Sequence, residues 1–205
     1  MKKADLQHNH VAFDEAVARY RSFMERVVEA QRVIKTKTEK QDVAESVLLR
    51  LCAHWERFVD EHLVDCVNCD HSKLNEFLGI SIPRHPSRNV CQAILFGGTY
   101  RDFKNFGDLK GFTKRVLPDG SNPFLAVSST NATKIDEVFK IRNYLAHYSA
   151  AARRALERMY QQSYSLTRFE EPGRFLLAND GRRLWAYFGA FSGASSDMNA
   201  WCSTA

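Results

Sequence analysis

The 205-residue sequence has no long apolar run, whereas a helix that crosses a bilayer needs about 20 consecutive apolar residues. Lys2 and Lys3 stand near its start, but no apolar stretch of signal-peptide length follows them. These two absences predict that the protein neither spans a membrane nor is secreted. We therefore expect a cytoplasmic protein.

The sequence also lacks a paired set of cysteines. It contains five, an odd number, spread through segments that have helical periodicity. A disulfide framework uses an even number of cysteines in a small secreted chain, so this pattern excludes one. We expect free thiols in a reducing compartment.

What the chain does contain is typical of a globular protein, with 44% hydrophobic and 26% charged residues. Its length suits a domain, which we place at 1–163, followed by a C-terminal appendage at 164–205. The net charge of +5 and the pI near 9.0 are compatible with a polyanionic partner. Residues 101–115 include five basic and two acidic side chains, and residues 134–158 include six and three, so each segment has a local net charge of +3.

Two long stretches repeat their apolar residues every three or four positions, which is the spacing of one face of an α-helix. The seam of the first stretch consists of Phe13, Val17, Tyr20, Met24, Val27, Gln31 and Ile34. The seam of the second consists of Val43, Val47, Leu48, Leu51, Cys52, Trp55, Phe58, Val59 and Leu63. We expect two long helices, antiparallel if the link between them is short.

The middle of the chain is interrupted by residues that break helices. The stretch 68–88 is polar and contains one glycine and two prolines, which predicts a loop with one short turn. The stretch 118–131 is turn-rich as well, and we expect Thr130 or Asn131 to cap the helix that follows it.

Helices are predicted at 132–147 and 150–162, joined into a helical hairpin around Tyr148 and Ser149. Together with the two long helices they predict an all-α fold, a helical bundle. The appendage differs. Its segments 174–177 and 182–188 flank an Ala-Asn-Asp-Gly sequence, which favours a β-hairpin, and the small and polar residues 189–205 are expected to fray.

The segment with the most chemistry is the end of the 132–147 helix. Arg142 follows Ile135 by seven positions and so shares its apolar face, where a guanidinium is costly to bury unless it is paired. One interpretation is therefore a structural ion pair with Glu56 or Asp60 of the second long helix.

Asn143 and His147 are four residues apart and share a face, while Arg142 is turned about 100° away from Asn143. A single helix cannot direct all three side chains at one atom. Either the helix end is distorted, or a two-fold partner supplies a second copy of the motif, which predicts a homodimer with a composite site.

Arg142-Asn143-x3-His147 resembles the R-x4-6-H motif of the HEPN superfamily, in which a polar residue commonly follows the arginine. Residues 53–60 and 135–149 are similar to the bacterial RiboL-PSP-type HEPN proteins in particular. The resemblance covers about 41–162 and implies a HEPN-type helical bundle.

The resemblance further implies a metal-independent endoribonuclease without a cofactor, which cleaves RNA by attack of a ribose 2′-hydroxyl on the adjacent phosphate. His147 would transfer protons, Arg142 would stabilise charge on the phosphoryl oxygens, and Asn143 would orient the imidazole or bind the phosphate. Such bacterial proteins tend to act as toxins or phage-defence effectors, with an antitoxin or regulatory partner. HEPN toxins paired with nucleotidyltransferases have a tyrosine two residues after the histidine, whereas this chain has Ser149.

The alternative from the same resemblance is a non-catalytic HEPN module that binds RNA or a protein, in which Arg142 makes only the salt bridge. A growth arrest that His147→Ala relieves would separate the two hypotheses.

Basic and aromatic residues alternate between positions 100 and 115, a composition that suits unpaired bases and phosphates. The alternative is an ordered segment whose aromatic side chains belong to the core. Arg153 and Arg154 either extend a phosphate-binding track or form a solvated helix face. The predicted RNA-binding residues are Tyr100, Arg101, Lys104, Lys114, Arg115, Arg153 and Arg154.

Cys66-x2-Cys69-x-His71, with Cys91 as a fourth ligand, has cysteine spacing suitable for zinc. A second Cys-x2-Cys pair is absent and His71 is close enough to crowd the site, so we predict no metal there. A zinc-stabilised adaptor is the corresponding third hypothesis. His8-x-His10 is assigned to a mobile N-terminal end.

Overall fold

The structure is a computed structural model that describes residues 6–29, 36–97 and 103–204, with side chains up to residue 200. Every regular element in these ranges is helical, which confirms the predicted all-α class. Two short 3-10 turns, Asp119–Ser121 and Pro123–Leu125, separate the fifth and sixth α-helices. The α-helices are α1 (Leu6–Glu29), α2 (Lys37–Cys69), α3 (Ser72–Leu78), α4 (Arg88–Phe96), α5 (Phe106–Val116), α6 (Ser129–His147), α7 (Ala150–Tyr164), α8 (Pro172–Leu177) and α9 (Arg182–Thr204).

The two long helices predicted from the apolar seams are α1 and α2, and they are antiparallel. Near the start of α1, Asn9 Nδ2 donates a hydrogen bond of 2.6 Å to Asp65 Oδ2 near the end of α2. At the opposite end, Lys40 Nζ donates to the Val28 carbonyl oxygen over 2.9 Å. The seam residues of α1 from Phe13 to Val27 are buried apart from the half-buried Tyr20, while Gln31 and Ile34 lie outside the described residues.

The sequence explains where α2 begins. Thr36 and Glu39 form a capping box, in which the Thr36 hydroxyl accepts from the Glu39 N–H and the Glu39 carboxylate accepts from the Thr36 N–H. The predicted loop at 68–88 contains one short helix, α3, which ends at Gly79 with a positive φ of 64°.

Ser128 caps α6, so the prediction that Thr130 or Asn131 would do so is wrong. The helix begins at Ser129, which places both of those residues inside its first turn. The Ser128 hydroxyl accepts from the Asn131 N–H over 3.3 Å, while Asn131 Nδ2 donates to Asp197 of α9 over 3.0 Å.

The predicted β-hairpin is also wrong, because its two segments belong to α8 and α9. Asn179, Asp180 and Gly181 do adopt positive φ, as expected for hairpin turn residues, but here they join two helices. The spacing of the buried residues explains why this segment is helical. The buried residues of α9 follow the period of a helix, with neighbours three and four positions apart, and not that of a strand: Leu184, Tyr187, Phe188, Ala190, Phe191, Ala194, Ser195 and Met198.

Residues 189–200 are therefore a helix with a buried face, contrary to the fraying that we expected. α9 packs against α1 and α6, and α8 packs against α2. The side chains of α8 and α9 join the same hydrophobic core as those of α1, α2 and α6. Residues 164–200 thus contribute to the core that positions α6.

A buried polar hub connects α6, α7 and α9. The Glu137 side chain is 3% exposed, and its Oε2 accepts hydrogen bonds from Lys134 Nζ at 2.9 Å, Tyr164 OH at 2.7 Å and Tyr187 OH at 3.1 Å. Burial raises the pKa of both tyrosines. The hub therefore surrounds the buried Glu137 side chain with donors from α6, α7 and α9.

Two histidines are buried where α1, α2 and α9 meet. The rings of His10 and His62 lie 4.6 Å apart, and His10 Nδ1 is in hydrogen-bond contact with Ser195 Oγ at 3.1 Å. Burial lowers the pKa of His10 to about 4 and that of His62 to about 3. Both imidazoles are therefore neutral in the folded protein at neutral pH.

This pair predicts a loss of stability in acid. Unfolded histidine takes up a proton near pH 6.5, so the unfolded state gains protons first and stability falls between pH 6.5 and 4, by about 1.4 kcal/mol per pH unit for each histidine. Asp60 opposes this change, because burial raises its pKa to about 6 and its protonation favours the folded state. A comparison between variants removes the contribution of Asp60, which both share.

Between pH 7 and pH 4.5, the free energy of unfolding of His62→Leu is expected to fall by about 2–3 kcal/mol less than that of wild type. Urea unfolding at both pH values measures the difference. His85→Ala is the matched control, because His85 is exposed and should leave the pH dependence unchanged. An equal pH dependence for wild type and His62→Leu would contradict the prediction.

None of the helices in the described ranges combines the length and the apolar character needed to cross a membrane. Cys52 and Cys91 carry free thiols, as predicted.

Candidate functional site

The candidate site lies where α6 ends. His147 is the last residue of the helix, and Tyr148 follows it in the left-handed conformation with a φ of 45°. Ser149 then caps α7, its hydroxyl accepting from the Ala152 N–H over 3.2 Å. The tight reversal confirms the predicted helical hairpin and leaves His147 and Tyr148 exposed.

Arg142 points from α6 towards α2. Its Nη2 lies 3.4 Å from Glu56 Oε1, and the two side chains are 25% and 18% exposed. The Glu56 oxygen is buried and accepts no hydrogen bond of good geometry, so the pair is a charge contact without the alignment of a bidentate bridge. Of the two partners considered from the sequence, Glu56 is therefore the one in contact.

Arg142 also contacts its neighbour in the motif. Its Nη1 donates a hydrogen bond of 3.2 Å to Asn143 Oδ1, which leaves the two amide N–H donors of Asn143 for another acceptor. The bond brings the first two predicted catalytic side chains together. His147 lies one turn further along the helix, and no hydrogen bond to its imidazole is found among the described residues.

The face that carries Asn143 and His147 includes two further polar residues that the sequence analysis did not select. Asp136, Lys140, Asn143 and His147 recur at intervals of four, three and four, so they form one stripe along about 16 Å of helix. The spacing alone could have revealed this stripe. Asp136 accepts a hydrogen bond of 2.7 Å from the Phe106 N–H, so the start of α5 lies at the far end of the stripe.

A small cavity lies beside the Arg142 contact. Its volume is about 30 Å³, and Glu56 and Asp60 share its wall with aromatic residues of α2, α5 and α6. Burial, followed by the negative charges of Glu56 and Glu61, raises the pKa of Asp60 to about 6. The cavity therefore places a carboxyl group that titrates near neutrality one turn from Glu56.

The predicted RNA-binding residues are not all in one place. Tyr100 and Arg101 lie outside the described residues. Lys104 precedes α5, and Lys114 and Arg115 lie in its last turn, all exposed. The aromatic residues between them belong to the core, since Phe106 and Phe112 are buried and Phe103 packs against them, which favours the ordered-segment interpretation.

Arg153 and Arg154 follow the site on α7. Arg153 is already engaged by the protein, because its Nε donates to Glu157 over 3.0 Å and its guanidinium lies 4.1 Å from the centre of the Phe169 ring. Arg154 is exposed and has no ion pair with any described residue. It is the one of the two arginines that can take a phosphate without losing an existing partner.

Among the described residues, no group of three or more histidine, cysteine, aspartate and glutamate side chains is arranged to hold a metal ion. Cys66, Cys69, His71 and Cys91 are among the described residues and form no such group. His10 is buried within α1 and contacts Phe58 and His62, so its assignment to a mobile end is wrong. The buried face of α1 begins before Phe13, because Asn9 and His10 are also buried.

Comparisons with protein-family models, with curated proteins and with solved structures each gave no match. The resemblance to HEPN proteins therefore depends on residues of this chain alone, in particular on the motif at 142–147 and on its place at the end of a helix.

Proposed function

We propose that this protein is a metal-independent endoribonuclease whose catalytic residues are Arg142, Asn143 and His147. The observation that carries the proposal is the arrangement at the end of α6, where an exposed imidazole shares a helix face with Asn143, which accepts a hydrogen bond from Arg142. A proton-transfer group and a permanent cation within one and a half turns of helix match the needs of phosphodiester cleavage.

In the proposed reaction, the ribose 2′-hydroxyl attacks the adjacent phosphorus and the 5′-oxygen of the next nucleotide leaves. The 2′-oxygen loses its proton to one imidazole, and the leaving oxygen receives a proton from an imidazolium. Arg142 offers its guanidinium to the phosphoryl oxygens, where negative charge accumulates. The products are a 2′,3′-cyclic phosphate and a 5′-hydroxyl, and neither a metal nor a cofactor takes part.

A homodimer supplies the second proton-transfer group in this proposal. Arg142 turns towards α2 while His147 lies on the neighbouring face of α6, so one protein chain offers only half of a site. Two copies of α6 placed side by side bring together two arginines and two histidines. Lys140 and Arg154, both exposed, extend the positive charge of such a groove.

We further propose that the enzyme acts in the cytoplasm as a toxin or a phage-defence effector, held in check by an antitoxin or another regulatory partner. The exposed site supports the need for such control, because nothing in the described part of the chain covers His147. Ser149 replaces the tyrosine of the nucleotidyltransferase-paired toxins, which argues against control by modification at that position.

The test is cleavage of a single-stranded RNA by the purified protein in EDTA. Wild type is expected to cut an all-ribose oligonucleotide mixture and to leave cyclic phosphates, but to leave the same sequences intact when every 2′-hydroxyl is methylated. Cleavage of the methylated strands, or cleavage that requires Mg²⁺, would contradict the proposed attack.

A second candidate function is a non-catalytic module that binds RNA or a protein. The contact of 3.4 Å between Arg142 and Glu56 favours it, because a half-buried arginine can be retained for stability alone. Under this alternative the folded protein binds the all-ribose strands without cutting them.

A further inference from the structure

An apolar groove runs between α1 and α2, away from the candidate site. Its floor consists of Tyr20 and Phe23 from α1 with Val43 and Val47 from α2, and it encloses about 620 Å³. Phe23 is 40% exposed, so part of its apolar side chain is accessible from the groove. Val47 and Glu56 are nine residues apart, which is about 180° around α2, so the groove and the Arg142 contact lie on opposite sides of that helix.

The rim of the groove is positively charged. Arg19, Arg26 and Arg50 line it, all three are exposed, and none of them forms an ion pair with a described residue. Asp42 is the one acidic side chain among the described residues that line the groove. The rim therefore has a local net charge of +2 around an apolar floor.

The neighbouring His54 is affected by the positive charge of the same arginines. Its pKa is lowered by burial and then by the charges of Arg19, Arg57 and Arg50. Its Nε2 lies 3.2 Å from the Tyr20 hydroxyl, at the edge of the groove. The positive charges of these arginines therefore reach the edge of the groove, where they would attract an acidic ligand.

We propose that this groove binds an amphipathic helix of a partner protein that has acidic residues on both sides of its apolar face. The groove lies between two antiparallel helices, and the arginines from 19 to 26 extend over about 10 Å of α1, which matches two turns of a bound helix. Apolar side chains of the partner fill the floor at a spacing of three and four, and its carboxylates face the arginines.

The chemistry of the floor favours such a helix over RNA. The two hydroxyl groups near the floor already have partners in the protein: Tyr20 bonds to His54, and Ser46 Oγ donates to the Asp42 carbonyl over 2.9 Å. Base edges would therefore find few hydrogen-bond partners there. The link that follows α1 in the sequence contains Arg32 and Lys35, so its charge does not complement the rim.

Three fluorescent 15-residue peptides test the proposal by anisotropy with the full-length protein. The first is helical, with leucines on one face and glutamates on both flanks, the second has lysine in place of every glutamate, and the third is a scrambled version of the first. The first peptide is expected to bind at least about tenfold more tightly than the other two. Equal affinity for the first and the scrambled peptide would reduce the effect to net charge and overturn the proposal.

Substitutions in the groove test whether the first peptide binds there. Phe23→Ser and Arg50→Glu are each expected to weaken binding of the first peptide by about tenfold or more, and Arg158→Glu, an exposed arginine on α7, by less than about twofold. Two separate groove variants keep the test valid if one fails to fold, which circular dichroism would reveal. Peptide affinity that is insensitive to both folded variants would overturn the proposal.

Two further outcomes would overturn the proposal and assign the groove to a different ligand. A labelled 15-nucleotide uridine strand, with every 2′-hydroxyl methylated so that the proposed reaction cannot cut it, tests for RNA. If this strand loses its binding in both groove variants while the acidic peptide does not bind, the groove is an RNA site. A dimer of the protein that Phe23→Ser dissociates, as measured by analytical ultracentrifugation, would make it a contact between copies of the chain. Neither outcome depends on whether the protein cleaves RNA.

Discussion

His147→Ala is expected to lower the rate of RNA cleavage by about 10²–10⁴-fold, because the proposed reaction loses its proton-transfer group. The same substitution should leave the free energy of unfolding within about 0.5 kcal/mol of wild type, since His147 is exposed at the end of α6 and contributes nothing to the core. The measurement is single-turnover cleavage in EDTA together with urea unfolding.

Arg142 provides the companion variant, and Glu56 provides its control. Arg142→Ala should also abolish cleavage, but it leaves Glu56 half-buried without its cation and should cost about 1–3 kcal/mol of stability. Glu56→Gln removes the ion pair and keeps Arg142, so under the proposed mechanism cleavage should stay within about tenfold of wild type. The two substitutions thus separate the contribution of Arg142 to catalysis from its contribution to the fold.

Several results would contradict the catalytic assignment. One is His147→Ala protein that still cuts RNA at the wild-type rate. Another is a cleavage activity that purifies away from the folded protein. If wild type does not cut any ribose strand while Arg142→Ala and Glu56→Gln lose similar stability, the ion pair is structural and the binding-module interpretation replaces the enzyme.

The long helices could be predicted because their apolar residues recur with the helical period. The start of α2 is a separate local signal, because it depends on the capping box of Thr36 and Glu39 and not on the apolar period. The C-terminal helices have the helical apolar period, but their turn residues are those of a β-hairpin, so the two signals conflict. Asn179, Asp180 and Gly181 have the positive φ of a hairpin turn, yet the same conformation ends α8 and allows α9 to begin.

The site could be predicted only in part, for a geometric reason. The spacing within α6 determines that Asn143 and His147 share a face, because that relation is local to one helix. Glu56 and Asp60 are four residues apart on α2 and equally suited to Arg142 by sequence, so the choice between them depends on how α2 and α6 pack. The contact of Asp136 with the start of α5 is likewise a long-range one, and no local pattern predicts it.

Glu137→Ala is expected to destabilise the protein by about 3–5 kcal/mol, the largest stability effect that the described polar contacts predict. The Glu137 carboxylate is almost fully buried and accepts hydrogen bonds from Lys134, Tyr164 and Tyr187. Its removal leaves Lys134 without its anion, and the two tyrosine hydroxyls keep only each other and Lys134 as partners. Urea unfolding followed by circular dichroism at pH 7 measures the change.

Two variants show whether burial is the cause. Glu157→Ala removes a carboxylate that pairs with Arg153 over 3.0 Å with 42% of its side chain exposed, so it should cost less than about 1 kcal/mol. Lys134→Met combined with Glu137→Leu removes both members of the charge pair and should recover part of the loss, because no uncompensated charge remains in the core.

A cost below about 1 kcal/mol for Glu137→Ala would mean that the three donors find water or other acceptors. In that case the hub would not be what holds α7 and α9 against α6, and the apolar side chains of α9 would have to position α6 by themselves.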